Sequence, residues 1–211
     1  MQLVLRIIRT SIGKKLLMAF TGLCFCCFLV IHLAGNLSVY GGADTFNSYV
    51  NHLHSLGVLV HIAELALLVL AIVHIVTGTV LFIENLRARP VRYSVTRRSG
   101  GRTWGSATMP YTGFLILVFL VCHISWFIYA GREYQTVYQI LTGLFSNPVV
   151  ILLYCAAVLV VALHISHGFW SLFQTFGLNH NAYMPAIRAL GIIFAVIVAM
   201  GFGTIPLYLG L

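Results

Sequence analysis

Five long apolar stretches alternate with shorter polar segments along the chain. They cover about 16–40, 56–83, 109–130, 148–173 and 186–209. Each supplies the ~20 apolar residues that a helix needs to cross ~30 Å of hydrocarbon. Since the backbone must satisfy its own hydrogen bonds in lipid, stretches this long indicate helices rather than barrel strands. We therefore predict an all-α membrane protein with five transmembrane helices and a single membrane domain over 1–211. Residues 1–15 are expected to form a surface segment, and 41–55 a polar, turn-rich loop.

Composition and charge agree with a membrane protein of defined orientation. The chain is 60% hydrophobic and 8% charged, whereas soluble domains spend about a quarter of their residues on charge. The net charge of +8 does not indicate nucleic-acid binding, because eleven of the twelve cations fall on one side of the predicted spans. Arg132 is the exception. Positive residues mark cytoplasmic segments, so we expect the N-terminus inside and the C-terminus outside a prokaryotic inner membrane.

Histidines lie deep inside four of the five apolar stretches: His32, His74, His123 and the pair His164 and His167. A single buried histidine is usually a hydrogen-bonded core residue. Ionisable groups within a membrane are nevertheless costly enough to be candidates for function.

The surroundings of these histidines repeat between alternate stretches. In the first and third, a Thr-Gly dipeptide precedes the histidine, which follows Gly22 or Gly113 by ten residues. In the second and fourth, a glycine follows the histidine by four residues, at Gly78 or Gly168. The first and third histidines are 91 residues apart, and the second and fourth 90. Such agreement predicts two matched pairs.

Depth along the spans separates the two pairs. His32 and His123 fall toward the outside, whereas His74 and His164 fall nearer the cytoplasmic half. Two facing imidazoles suit a six-coordinate haem b, whereas zinc prefers four ligands converging on one point. We therefore predict two haems within a bundle of the first four helices, with the four glycines beside them. His167 points away from His164 and is expected to bond a propionate, a water or backbone.

Four stretches resemble the single-chain, di-haem cytochrome b subunit of succinate:quinone oxidoreductases, the succinate dehydrogenases and fumarate reductases. They read SIGKKLLMAFTGL…VIHLAGNL, AELALLVLAIVHIVTG, TGFLILVFLVCH and ALHISHGFWSLFQTFGLN. The resemblance implies that His32 and His123 ligate the outer haem iron, and His74 and His164 the inner one. It also implies a membrane anchor that is not catalytic alone.

The same resemblance implies partners on the cytoplasmic side: a flavoprotein with FAD and a subunit with iron–sulfur clusters. Electrons would pass between these subunits and a membrane quinone, expected to be menaquinone. A quinone headgroup needs hydrogen-bonding and proton-exchanging groups. Glu64 and His61 near the outer end of the second span fit this need, with Asp44 in reserve. The alternative is that Glu64 and His61 simply pair with each other, while Glu84 is expected in a surface salt bridge.

Three other functions fit parts of the pattern. Another membrane oxidoreductase, such as a hydrogenase or formate dehydrogenase, could use a cytochrome b anchor, although those usually distribute their ligands differently. A transporter could use histidines as proton relays, but few acids are available for coupling. An anchor without a cofactor would leave the matched histidine spacing unexplained.

Overall fold

The computed structural model describes residues 10–88, 104–130 and 135–211, which are helical with short connections and contain no strand. Within these ranges seven α-helices follow one another: α1 (Ser11–Asn36), α2 (Gly42–Ser55), α3 (Val58–Arg87), α4 (Trp104–Tyr129), α5 (Val137–Phe145), α6 (Pro148–Thr175) and α7 (Met184–Leu209). In these ranges five helices, α1, α3, α4, α6 and α7, are long and apolar enough to cross a membrane. The predicted all-α architecture with five spanning helices is confirmed.

Local capping explains where several helices begin and end. The Thr10 side chain accepts a hydrogen bond from the Gly13 amide at 3.0 Å and opens α1. Asn147 caps α6 in the same way, and Pro148 occupies its first position, where a missing amide proton costs nothing. After α6 the chain turns at Gly177, whose φ of +88° is readily adopted only without a side chain.

The expected loop at 41–55 is instead largely helical. Leu37–Gly41 forms a 3₁₀ turn and α2 follows it. Phe46 of α2 is 4% exposed and packs in a cluster with Val39, Phe145 and Tyr154. The expectation of a loop was wrong because this apolar packing, rather than the segment's polar average, determines the conformation. Helices α2 and α5 therefore help to cap the bundle at the end of α1 where His32 lies.

The spanning helices pack unequally. α1 contacts α3 and α6, α4 packs mainly on α6, and α6 and α7 form the most extensive contact. Close approach of α7 depends on small residues, as is usual in membranes. A Cβ added at Gly201 would lie 2.7 Å from Leu33 Cδ1 of α1. Large apolar side chains such as Leu59 and Ile193 remain exposed on the bundle, as expected for surfaces that face lipid.

The described cations lie at or near the end of the bundle where α1 begins and α3 ends: Lys14, Lys15, Arg87 and Arg188. Lys14 of α1 forms an ion pair with Glu84 of α3, so the predicted surface salt bridge of Glu84 is confirmed. The other cations lie outside the described residues. Of the predicted surface segment 1–15, residues 1–9 also lie outside them, whereas residues 11–15 form the start of the spanning helix α1.

Candidate metal centres

His74 of α3 is held by a threonine of the neighbouring helix α1. The Thr21 Oγ1 atom lies 2.8 Å from His74 Nδ1. The same hydroxyl lies 2.9 Å from the Leu17 carbonyl oxygen and 3.2 Å from that of Met18. Thr21 is only 1% exposed. The contact between α1 and α3 is therefore a series of hydrogen-bonding contacts, from backbone carbonyl to threonine hydroxyl to imidazole, centred on a buried hydroxyl.

His164 of α6 has the same environment on the other side of the bundle. The Thr112 Oγ1 atom of α4 lies 3.0 Å from His164 Nδ1. This hydroxyl lies 3.1 Å from the carbonyl oxygens of both Thr108 and Met109. The contact from α4 to α6 thus repeats the contact from α1 to α3, as the matched sequence spacing suggests.

These contacts favour one tautomer for both imidazoles. A hydroxyl has one proton, and a carbonyl oxygen can only accept a hydrogen bond. A hydroxyl that donates to its own helix therefore accepts from the imidazole, which must carry its proton on Nδ1. The lone pair on Nε2 is then available to a metal, as in histidine ligands whose other nitrogen donates to an oxygen.

Two of the four predicted glycines lie directly beside these imidazoles. A Cβ at Gly22 would lie 3.7 Å from His74 Cε1, and one at Gly113 would lie 3.5 Å from His164 Cε1. Each glycine thus adjoins a histidine of a different helix, rather than the one ten residues later in its own.

The other two glycines differ from each other. Gly168 lies one turn after His164, and a Cβ there would have no neighbour within 4 Å. Gly78 is closer to other atoms, since a Cβ there would lie 3.4 Å from Met18 Cε. The open space at Gly168, together with the available Nε2 lone pairs, fits a flat macrocycle beside His164.

The other two predicted ligands meet at a second level. The ring centres of His32 from α1 and His123 from α4 are 6.2 Å apart, with an angle of 86° between the rings. Nitrogens ~2 Å from a shared metal, with ring centres ~1.1 Å behind them, would give a separation of ~6 Å. The distance is therefore compatible with two imidazoles that would hold the same metal ion.

Aromatic side chains enclose this pair, which the sequence predicts to be the outer one. Phe28 stacks on His32 at 5.1 Å, and Phe202 of α7 lies 5.4 Å from the same ring. The fifth spanning helix thus contributes to the site as well as to the length of the chain. The hydroxyl of Tyr154 lies 3.2 Å from His123 Nδ1. Tyr154 is itself 8% exposed and packs in the cluster with Val39, Phe46 and Phe145 at this end of the bundle, which we call the outer cap.

The outer pair has a less symmetric set of hydrogen bonds than the inner pair. His123 has the Tyr154 hydroxyl as a partner, whereas His32 Nδ1 lies 3.4 Å from the Asn36 amide nitrogen. That amide donates to the His32 carbonyl oxygen at 2.8 Å. A contact of 3.4 Å is at the long limit of a hydrogen bond and does not define the His32 tautomer.

The two levels are separated along the helix axes. His32 follows Thr21 by eleven positions in α1, and His123 follows Thr112 by eleven positions in α4. At 1.5 Å per residue this spacing corresponds to ~16 Å. Within the described ranges no three or more His, Cys, Asp or Glu side chains form a metal-binding group. The chain thus offers histidines in pairs.

His164 and His167 have different surroundings. His167 lies edge-on to Trp170, with ring centres 4.7 Å apart. The Arg188 guanidinium lies 4.6 Å above the Trp170 ring. His167 also packs on Gly105 of α4, because a Cβ added at Gly105 would lie 2.7 Å from the Cβ of His167. This environment fits the prediction that the two histidines have separate roles, and a role of His167 beside a haem stays a prediction.

The predicted quinone residues lie on the surface. His61 Nδ1 and Glu64 Oε2 are 3.2 Å apart, and their side chains are 80% and 67% exposed. Their mutual pairing is the alternative recognised from the sequence. Asp44 is exposed in the first turn of α2.

Three residues whose hydroxyls lie against these imidazoles were not among the predicted site residues: Thr21, Thr112 and Tyr154. The Thr-Gly dipeptides were recognised as a repeat, but only their glycines were assigned to the site. The repeat itself was a usable signal for the hydroxyls. Tyr154 had no such signal, because it reaches His123 only through the packing of α6 on α4.

Comparison with known proteins finds a relative of this chain. The chain is 26% identical over 153 residues to the succinate dehydrogenase cytochrome b558 subunit of Bacillus subtilis (strain 168). The match covers 72% of this chain and 73% of that protein. No protein-family model and no solved structure matches the chain. The resemblance to a cytochrome b membrane subunit of succinate dehydrogenase, drawn from the histidine motifs, is therefore confirmed.

Proposed function

We propose that this chain is the membrane-anchor cytochrome b subunit of a succinate dehydrogenase or fumarate reductase. It holds two haems b, the inner one through His74 and His164 and the outer one through His32 and His123. Its role is to pass electrons between a cytoplasmic flavoprotein and iron–sulfur pair and a membrane quinone. The similarity to a succinate dehydrogenase cytochrome b558 subunit supports this assignment.

The observation that carries the proposal is the presence of histidines from separate helices at two levels of one bundle. The 6.2 Å separation of the His32 and His123 rings supports the outer pair. The matched threonine contacts of His74 and His164 support the inner pair. When bound, a haem would supply a one-electron carrier at each level, with a potential adjusted by burial and by hydrogen bonds to its ligands.

The chain's own contribution is to hold and shield these ligands. Helices α1, α3, α4 and α6 fix the imidazoles, and the backbone bonds that hold them are satisfied within each helix, as lipid requires. At the outer level, Phe28 and Phe202 pack against the His32 ring, and Tyr154 packs against the His123 ring. A low-dielectric surrounding of this kind controls solvent access and hence the potential of a bound metal.

The partner subunits belong, in this proposal, at the end of the bundle that carries the described cations. Lys14, Lys15, Arg87 and Arg188 are near this end, and positive residues favour the cytoplasmic side. This orientation has the N-terminus inside and places the inner histidine pair nearer the partners. Electrons from the iron–sulfur subunit would reach the inner level before the outer one.

The proposed quinone site uses the exposed pair of His61 and Glu64, with Asp44 as a further candidate. Exposure of both side chains on α3 makes them accessible to a molecule that diffuses in the membrane. A carboxylate and an imidazole together can exchange the protons that quinone reduction takes up. Menaquinone is the expected substrate.

The experiment is to express this chain with its partner subunits, purify the complex and record haem spectra after adding succinate. The proposal predicts a haem b spectrum that succinate reduces. Replacement of His74 by leucine should abolish the inner signal, whereas His52→Leu, an exposed histidine of α2, should leave both signals intact. A purified complex without haem b, or haem that depends on His52 as much as on His74, would contradict the proposal.

A further inference from the structure

We infer that Thr21 and Thr112 are positioning residues of the inner site, each fixing the tautomer and orientation of one histidine through its side-chain hydroxyl. This inference rests on the proposed function, because it concerns how His74 and His164 are prepared to bind iron. It concerns only residues of this chain and the contacts between α1 and α3 and between α4 and α6.

Threonines in membrane helices commonly bond to their own backbone without any further role. Thr79 of α3 is an example, since its hydroxyl donates to the Ile75 carbonyl at 2.8 Å and the residue is exposed. Thr21 and Thr112 make the same type of bond but are 1% and 5% exposed. Each also has an imidazole nitrogen of another helix within 3.0 Å. The additional contact separates them from an ordinary helix threonine.

The contact occurs twice with the same geometry. In both cases the hydroxyl reaches the carbonyl oxygens three and four residues earlier in its helix, and then a histidine Nδ1 on the next spanning helix. In both cases the residue after the threonine is a glycine next to the same imidazole. Two separate helix pairs with this arrangement make incidental packing a poor explanation. In each case a threonine hydroxyl and the glycine after it together contact one imidazole and fix its position.

The arrangement has a direct consequence for the ligand nitrogen. Two carbonyl oxygens compete for the one hydroxyl proton, so the hydroxyl oxygen faces the imidazole as an acceptor. Donation from Nδ1 keeps the ring in the tautomer whose Nε2 can bind metal, and makes Nε2 more basic. A more basic ligand favours oxidised iron, so the two hydroxyls should lower the reduction potential of the inner haem.

The experiment compares valine and serine variants in the complex with its partner subunits. Thr21→Val and Thr112→Val keep the side-chain shape and remove the hydroxyl, whereas Thr21→Ser and Thr112→Ser keep the hydroxyl. Thr79→Val is the matched control, because it removes a hydroxyl that bonds only within its own helix. The readouts are haem content, the low-temperature EPR g-values of the oxidised haems and the potential of each haem. The inner haem is assigned by its loss in His74→Leu.

We expect each valine variant to shift the reduction equilibrium of the inner haem toward the reduced form by up to tenfold. This shift corresponds to a rise in its reduction potential of up to 59 mV for one electron. The g-values of that haem should also shift, while the outer haem stays unchanged. The serine variants and Thr79→Val should retain the wild-type potential. If a valine variant loses the inner haem, its recovery in the serine variant supports the inference equally.

Three results would overturn the inference. The first is an inner-haem potential and g-values in Thr21→Val and Thr112→Val that match the wild type. The second is a serine variant that behaves like the valine variant, because serine keeps the hydroxyl and the effect could then not be assigned to its loss. The third is an equal shift in Thr79→Val. Absence of haem b from the wild-type complex is a separate outcome, since it refutes the proposed function before any threonine variant is compared.

Discussion

Tyr154 provides a sharp test of the outer pair. Its hydroxyl lies 3.2 Å from His123 Nδ1, and its ring stacks on Trp126 and meets Phe145 edge-on. Tyr154→Phe removes the hydroxyl and retains the aromatic packing, because the two rings have the same shape. The variant should therefore assemble normally and alter only the hydrogen bond to one ligand of the outer haem.

The size of the effect follows from the energy of that bond. A hydrogen bond between neutral groups contributes ~0.5–1.5 kcal/mol net. At 59 mV per tenfold for one electron, and ~1.4 kcal/mol per tenfold, this range corresponds to ~20–65 mV. When His123 binds iron through Nε2, its proton is on Nδ1 and is donated to the Tyr154 hydroxyl. Loss of this acceptor makes Nε2 less basic and destabilises oxidised iron. Tyr154→Phe should therefore raise the potential of the outer haem by at most ~65 mV.

The assay is a potentiometric titration of the purified complex, with the outer haem assigned by its loss in His123→Leu. The inner haem is an internal control, because Thr21 and Thr112 rather than Tyr154 contact its ligands. An unchanged outer potential, or a shift of the inner haem instead, would refute the reasoning about this hydrogen bond.

Three further predictions concern other parts of the account. His32→Leu and His123→Leu should each remove the same haem, seen as one identical missing signal in redox difference spectra; loss of different haems would refute the pairing. Glu64→Gln should lower the rate of quinone reduction by succinate severalfold while haem content is retained, and a normal rate would remove Glu64 from the site. Gly201→Val should destabilise the bundle by ~1–3 kcal/mol through overpacking, measured as a lower thermal midpoint, whereas Gly203→Val should be tolerated, since a Cβ there meets nothing within 4 Å.

The architecture was predictable because a helix that spans a membrane needs a long continuous apolar stretch. Five stretches of sufficient length gave five spanning helices, and the ends differ by a few residues because caps such as Thr10 and Asn147 lie outside the apolar runs. Helix α2 was not predicted. Its average polarity resembles a loop, and only the packing of Phe46 against residues distant in sequence makes it part of the outer cap.

The candidate site was predictable as far as repetition in the sequence extends. The repeated spacing predicted that His32 and His123 form a pair, and the centres of their rings are 6.2 Å apart in the structure. The hydroxyl partners of the imidazoles were not predicted. The repeated Thr-Gly dipeptides carried a signal for Thr21 and Thr112, but only their glycines were assigned to the site, and Tyr154 had no such signal. Phe202 was missed for a related reason, because contact between α7 and His32 depends on how the helices pack.

The central claim is that this one chain holds two haems through two pairs of histidines. The most direct measurement is the number of haem b groups per chain in the purified complex, determined by the pyridine haemochrome method with protein quantified by amino-acid analysis. The account predicts two per chain, falling to one in His74→Leu and to one in His32→Leu. One haem in the wild-type complex would contradict one of the two pairs, and none would contradict the assignment as a cytochrome.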